Sequence, residues 1–240
     1  MHRTQTSVNA DIRMEPSRVL QGSESPWKSH SARVMLSRPR QSGRRAAEVL
    51  IEDVYARTYG GRIDRHYPLL LNVRDEHDQV VAAVGLRFAD DGPLFLESYL
   101  DSSIETMIAR MTGRTVARRG IVEIGNLAAT GRGASFVLFM ALASFLKQQG
   151  LSYAAVTATK ALRRSLVRLG VDFVEATQAS PSALPDNGAA WGTYYSREPK
   201  ILFGAIEPVF GHLQTCLQSG ADPLLRRFLS LSLNNHQERM

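Results

Sequence analysis

Apolar and polar positions along this chain separate into helical and extended stretches. Across Arg44–Tyr59 the apolar residues fall at Ala47, Leu50, Ile51, Val54 and Tyr55. That i, i+3, i+4, i+7, i+8 spacing sets one stripe of a helix against a core, and Gly60-Gly61 is the expected stop. Leu69–Arg74 and Val80–Phe88 read as strands of a hairpin joined by the polar turn 75–79, the second apolar enough to predict a place inside a sheet. After the turn Asp90-Asp91-Gly92-Pro93, Leu94-Phe95-Leu96 reads as a brief third strand and residues 103–111 as a helix.

Residues 118–128 predict a fourth strand, interrupted by Gly125-Asn126, a pair suited to a bulge that bends the strand away from its neighbour. An all-round apolar helix follows over 135–149, closed by Gly150. A strand over 152–157, an amphipathic helix over 160–169 closed by Gly170, and a strand over 171–176 come next. Strands are expected at 191–196 and 201–206, and helices at 209–217 and 223–233. No internal repeat is present. Helix, hairpin, strand, helix, strand, glycine turn, helix, strand, helix and closing strands leave a central βαβ unit flanked by antiparallel strands. Short connections and the right-handed crossover then favour an α/β fold with one mixed sheet and helices on both faces.

Composition changes this picture at the N-terminus. The chain has 240 residues, 44% of them hydrophobic, enough for one sizeable core. Its formal net charge is +6. Residues 1–50 hold nine Lys/Arg against Asp11, Glu15, Glu24 and Glu48, and so supply +5 of it. Residues 1–41 are therefore expected to be a disordered basic arm, 42–206 the catalytic domain, and 207–240 a helical extension. Such an arm suits a solvated tail or contact with an acidic carrier protein or anionic lipid. It lacks the interleaved aromatics of a nucleic-acid surface. No secretory h-region and no run of ~18 apolar residues is present, which points to a cytoplasmic protein with at most peripheral contact at the inner membrane. The lone Cys216 and the scattered His66, His77 and His212 argue against a disulfide framework and a metal site.

The most informative stretch is 121–134, Ile-Val-Glu-Ile-Gly-Asn-Leu-Ala-Ala-Thr-Gly-Arg-Gly-Ala. A strand runs into a glycine-rich turn and then a helix with no charge from Ala134 to Leu146. The turn delivers backbone N–H groups to a helix start where partial positive charge collects, a cradle for phosphate. A tight turn alone would use the same glycines. The Lys-Ser/Thr of a nucleotide-triphosphate loop and the dinucleotide fingerprint are both missing, and Ser135 has no hydrolase elbow around it. Glu123, a carboxylate on an apolar strand, is the first candidate for a proton acceptor, because burial raises its pKa unless it is paired. A structural ion pair with Arg87 is the competing role. Glu97 is the second candidate, with helix capping as its alternative. Arg87 needs an anion, from substrate or protein. Trp191 is expected to pack in the core. Tyr194 and Tyr195, if in a strand, point to opposite faces, so that at most one lines an acceptor pocket.

The order of strand, bulge, glycine turn and helix resembles the GNAT acyltransferase fold. Val84-Gly85-Leu86-Arg87-Phe88, Gly92-Pro93-Leu94-Phe95-Leu96 with Glu97, and Glu123-Ile-Gly-Asn126-Leu-Ala-Ala are similar to the acyl-homoserine-lactone synthases. Glu97-Ser-Tyr-Leu-Asp101, Ile104-Glu105, Glu123 to Ala129, Thr157-Ala-Thr and Trp191-Gly-Thr-Tyr-Tyr195 resemble the thermostable haemolysins more closely, over about residues 44–206. The resemblance implies an N-acyltransferase. It would move an acyl group, expected to be fatty, from the phosphopantetheine thioester of acyl-CoA or an acyl carrier protein to a small-molecule amine, without a metal. It implies that the donor arm pairs with Leu127, Ala128 and Ala129 and its phosphate rests on Thr130, Gly131, Arg132, Gly133 and Ala134. Arg87, Asn126 and one of Tyr194 and Tyr195 would then face substrate. Two departures stand out. Asn126 replaces the arginine of the lactone synthases, which argues against homoserine-lactone synthesis. The tyrosine that many GNAT enzymes carry on the helix after the fifth strand is missing from 165–170. The family name itself points to an alternative, a membrane-active haemolysin, and an inactive binding module of the same fold is a third.

Overall fold

The computed structural model describes residues 32–218. One seven-stranded sheet runs through the molecule: β1 (Arg33–Ser37), β2 (Leu69–Arg74), β3 (Val80–Phe88), β4 (Ile121–Ala129), β5 (Tyr153–Ala158), β6 (Val174–Gln178) and β7 (Lys200–Ala205), in the order β1-β2-β3-β4-β5-β7-β6. Every neighbouring pair is antiparallel except β4 with β5, the parallel pair joined by a crossover helix. Helices α1 (Arg44–Tyr59) and α2 (Ile104–Thr112) cover one face. On the other lie α3 (Arg132–Gln148), α4 (Lys160–Arg168) and α5 (Ile206–Gln218).

Two cores follow from strand alternation. Leu71, Val84, Leu86 and Val122 point toward α3 and α5. Leu70, Ala83 and Ala128 point toward Ala47, Leu50, Ile51 and Tyr55 of α1, the residues whose helical spacing is visible in the sequence, and Ile121 and Ala155 pack toward α2. Helix α3 is apolar nearly all round because it lies against the centre of the sheet and also against α5.

Four expectations are corrected. Arg33–Ser37 is an edge strand, so the sheet begins inside the stretch read as part of the arm; the rest of that arm lies outside the described residues, as does the helix expected at 223–233. Residues 94–96 are not a strand. Phe95–Tyr99 is a 3-10 helix, tightened by the Glu97 carboxylate accepting from Leu94 N–H at 2.8 Å. Residues 191–196 are not a strand either, but two 3-10 turns, Ala189–Trp191 and Tyr195–Arg197. Gly192 between them has φ 56°, and its Thr193 neighbour donates to the last carbonyl of α1, at Tyr59. Finally, α3 begins at Arg132, which places Gly133 in its first turn.

Candidate functional site

The central parallel pair opens into a fork. β4 and β5 are paired only from Ile121↔Tyr153 to Ile124↔Val156. Beyond that, β4 stays with β3 (Ala128↔Ala83) while β5 stays with β7 (Ala158↔Lys200). The cause is the bulge read from Gly125-Asn126: the β3–β4 register slips between Ala83 and Gly85, and Asn126 takes φ 49°, a left-handed backbone that asparagine tolerates better than most residues.

A cavity of about 200 Å³ occupies the fork. Tyr55, Tyr59 and Tyr194 line it from the α1 side. Residues 124–127 of β4 and 154, 156 and 157 of β5 form its walls, and apolar residues of α3, α4 and α5, among them Leu142, Ala143 and Leu166, extend it beneath the sheet. Two buried polar atoms of the walls have no hydrogen-bond partner among the described residues, Asn126 Oδ1 and Thr157 Oγ1. Buried polar atoms are normally paired, so these two suit a polar group held within an otherwise apolar space.

The glycine turn follows β4 on the side where β4 and β5 have parted, though none of residues 128–134 lines the cavity. Thr130 N–H is tied to Val81 O at 2.9 Å, and Gly131 is the residue before α3. Gly131 has φ −174°, an extended backbone that any residue adopts, and nothing lies within 4 Å of where its Cβ would be. Its conformation therefore does not demand glycine. No side chain caps the first turn of α3. Leu127 lines the cavity, whereas Ala128 and Ala134 are buried in the core by their side chains.

Glu123 is 1% exposed and sits on the α1–α2 face. Oε1 accepts from Tyr67 Oη at 2.8 Å and from Leu96 N–H at 2.9 Å, and Oε2 from Phe95 N–H at 2.8 Å. Burial pushes its pKa up against the pull of those donors and of Arg87. Arg87 is its cross-strand neighbour, yet the guanidinium bonds the Pro93 carbonyl at 3.1 Å and lies 5.6 Å from the centre of the Tyr67 ring instead of pairing directly with the carboxylate.

Glu97 is held by the scaffold. It accepts from Leu94 N–H, from Ile104 N–H at the start of α2, and from both terminal nitrogens of Arg118, which also reaches Glu105. Although burial opposes it, this set of donors holds the Glu97 pKa at about 2, too weak a base for amine chemistry near neutrality. A carboxylate with a depressed folded-state pKa stabilises the fold above its ordinary value, and the benefit is lost as pH falls through the folded value. Acid unfolding is thus expected to set in below pH 4.5, with this cluster contributing of order 2 kcal/mol after solvent screening. Arg118→Ala should cost about 3 kcal/mol and move the acid midpoint upward, as read by circular dichroism.

Tyr194 is buried, donates to Thr157 O at 3.2 Å and lines the cavity; Tyr195 shares a hydrogen bond with Tyr99 at 2.7 Å. With no strand there, the alternation argument for these two lapses. Trp191 stacks on Phe95, with ring centroids 5.7 Å apart. Sequence reasoning missed Tyr55, Tyr59 and above all Tyr67. In the sequence Tyr55 stands out only as a member of a helix stripe, and Tyr59 only as the end of that helix. Among the described residues no group of acidic, histidine or cysteine side chains is arranged to hold a metal ion, and no helix is long and apolar enough to cross a membrane.

Comparison with known proteins identifies the family and the fold. The profile of a family described as thermostable hemolysin matches residues 37–210. The fold is similar to that of the acyl-homoserine-lactone synthase LasI (14% identity, 74% of this chain and 91% of that one, TM-score 0.51). It is also similar to the CoA-dependent acyl-homoserine lactone synthase BjaI, solved with SAM and isopentyl-CoA (13%, 75% and 86%, TM-score 0.52). No curated protein matches the chain in sequence. The fold is the GNAT-like mixed sheet of those enzymes.

Proposed function

The chain belongs to the thermostable hemolysin family, and from that premise and the fork in its sheet we propose that it is an N-acyltransferase, moving a fatty acyl group from a phosphopantetheine thioester to an amine. The observation that carries this reading is the cavity that passes between β4 and β5 into an apolar space under α3, α4 and α5. Past the point where β4 and β5 part, β4 leads into a helix start without a side-chain cap, suited to a phosphate, and since the two strands no longer pair with each other there, a pantetheine arm can pair with Leu127–Ala129 as an added strand. The apolar depth accommodates an acyl tail. The thioester carbonyl then lies at the bulge, where backbone N–H groups steady the oxyanion and Glu123 is the final proton acceptor. Asn126 Oδ1 and Thr157 Oγ1 are placed to orient the donor amide or the incoming amine.

Helix α4, beside the mouth, carries Lys160, Arg163, Arg164 and Arg168 and no acidic residue. This charge suits an acidic carrier protein or the phosphates of acyl-CoA, with rates that fall as salt rises. An N-acylated amine is amphipathic. Lysis, the phenotype in the family name, then follows from the product and does not require the protein to enter a membrane.

Purified protein is to be given acyl-CoA and acyl-carrier donors of graded length with a panel of amines, and thiol release measured. Turnover is expected to favour long chains. No release and no donor binding with any of them would sink the reading. Ala143→Phe, which fills the cavity from α3, is expected to lower kcat/KM for long-chain donors about tenfold or more while sparing short ones, since added side-chain volume removes space for methylenes worth ~0.8 kcal/mol each.

A further inference from the structure

Glu123 has a problem of access. Among the described residues three groups hydrogen-bond to its carboxylate, and two are the backbone N–H groups of Phe95 and Leu96, which keep their protons and lead only into the 3-10 helix. The third is the Tyr67 hydroxyl, 2.8 Å away, the one contact with a proton to exchange. Tyr67 also packs against the bulge where the thioester carbonyl is proposed to lie. Its ring lies across two glycines that face each other in register, Gly85 on β3 and Gly125 on β4. A Cβ on Gly125 would stand 2.4 Å from Tyr67 Oη, and one on Gly85 would stand 2.6 Å from Tyr67 Cβ. Gly125 lies at the bulge and lines the cavity. The backbone beneath the ring is pinned by the buried Arg44, which donates to Tyr67 O at 2.7 Å and to Ser37 O at 2.9 Å. Neither Tyr67 nor Glu123 lines the cavity itself; the tyrosine is packed between the carboxylate and Gly125, one residue of the cavity wall, so that the hydroxyl lies one glycine behind that wall.

Resting on the acyl-transfer reading, we propose that Tyr67 is a catalytic proton relay: its hydroxyl oxygen takes the proton of the attacking amine and passes its own proton to Glu123 Oε1. As the nitrogen attacks the thioester carbonyl the C–N bond forms, and the C–S bond breaks as its electron pair leaves on sulfur. The amine proton moves to Tyr67 Oη and the tyrosyl proton to Glu123. Returning that proton through Tyr67 to the thiolate or to water resets the site, so amine and thioester become amide and thiol. Burial and the neighbouring carboxylate push the Tyr67 pKa well up, so the ring hands protons on without holding a negative charge. The titratable groups facing the pair are Arg87 from β3, Tyr55 from α1 and Tyr99 from the 3-10 helix.

Tyr67→Phe tests this, because it keeps the ring in its slot and removes only the oxygen. Wild type and variant are to be compared by thermal melting, by calorimetric binding of acyl-CoA, and by the pH profiles of kcat and kcat/KM for thiol release. The relay predicts an unchanged donor Kd, a fall in kcat of roughly 100-fold or more near neutral pH, and loss of the acid limb assigned to Glu123. A kcat within threefold of wild type overturns it. So does a lower kcat with the acid limb kept in place, or one explained by lost donor binding, since both describe a structural tyrosine. Wild-type protein that binds and turns over no donor is a different result: it removes the acyl-transfer reading itself, and the relay with it.

Discussion

Gly125→Ala is expected to destabilise the protein by about 3 kcal/mol, lowering its melting temperature by roughly 6–12 °C. The new methyl would stand 2.4 Å from Tyr67 Oη and Cζ, and 2.6 Å from Cε2. The ring must leave its slot, which exposes apolar surface and strips a donor from a buried carboxylate. Gly85→Ala fails differently. Its methyl meets Tyr67 Cβ at 2.6 Å, an atom fixed by a backbone that Arg44 holds, so the strand itself must shift. A double-mutant cycle separates the two cases. In a Tyr67→Ala background Gly125→Ala should cost within about 0.5 kcal/mol of nothing, whereas Gly85→Ala should remain expensive because alanine keeps the Cβ. Equal costs for Gly125→Ala in both backgrounds, by chemical denaturation, would show that the ring does not need the glycine.

The slot also marks where sequence reasoning stops. Elements whose signal lies in their own residues are legible: the buried stripe of α1, the β2–β3 hairpin, and the bulge at Gly125-Asn126 with its positive φ. From the bulge and the glycine turn one can expect the fork and place Glu123 beside it. Elements defined by partners distant in sequence are not legible. Leu94-Phe95-Leu96 has the apolar residues of a strand, yet three positions cannot establish a period, and the Glu97 carboxylate folds them back into a 3-10 helix. Trp191 to Tyr195 favours extended structure by composition, but Gly192 packs its Cα against the end of α1, where a Cβ would come within 2.1 Å of Tyr59 O. Arg33–Ser37 sets Val34 and the partly buried Leu36 toward the core, too short an alternation to stand out in the sequence, and is a strand because β2 pairs with it. Tyr67 looks like an isolated aromatic before a proline. Its meaning comes from two glycines and a glutamate on other strands, a conjunction that no local pattern contains. Glu97 is the converse case: its two readings, proton acceptor and helix cap, are equally open in the sequence, and the contacts with Arg118 and the N–H of Ile104 that hold it in the scaffold require the fold.

Glu123→Gln should lower turnover per folded molecule by about 10³-fold, and it should not be neutral for the fold. The three described groups that touch the carboxylate are all donors. A glutamine offers one oxygen and one NH₂. Whichever way the amide turns, the NH₂ confronts the N–H of Phe95 or Leu96, and a buried donor loses its acceptor at a cost of about 1–3 kcal/mol. The pH dependence of that cost has a definite sign. Burial raises the Glu123 pKa above its ordinary 4.5, so this group supports the fold fully below 4.5, and the support is lost as pH rises through the elevated value. Glutamine does not titrate, and the Glu97–Arg118 cluster is common to both proteins. The stability gap between wild type and Glu123→Gln should therefore be widest in acid and narrow toward neutral pH, while the activity gap widens over the same range as wild-type Glu123 ionises. Denaturant melts and thiol-release rates at matched pH values measure both. A stability gap that grew with pH would mean that the three donors outweigh burial, and that Glu123 is a carboxylate held ionised by the scaffold, as Glu97 is, and not a base poised to take a proton.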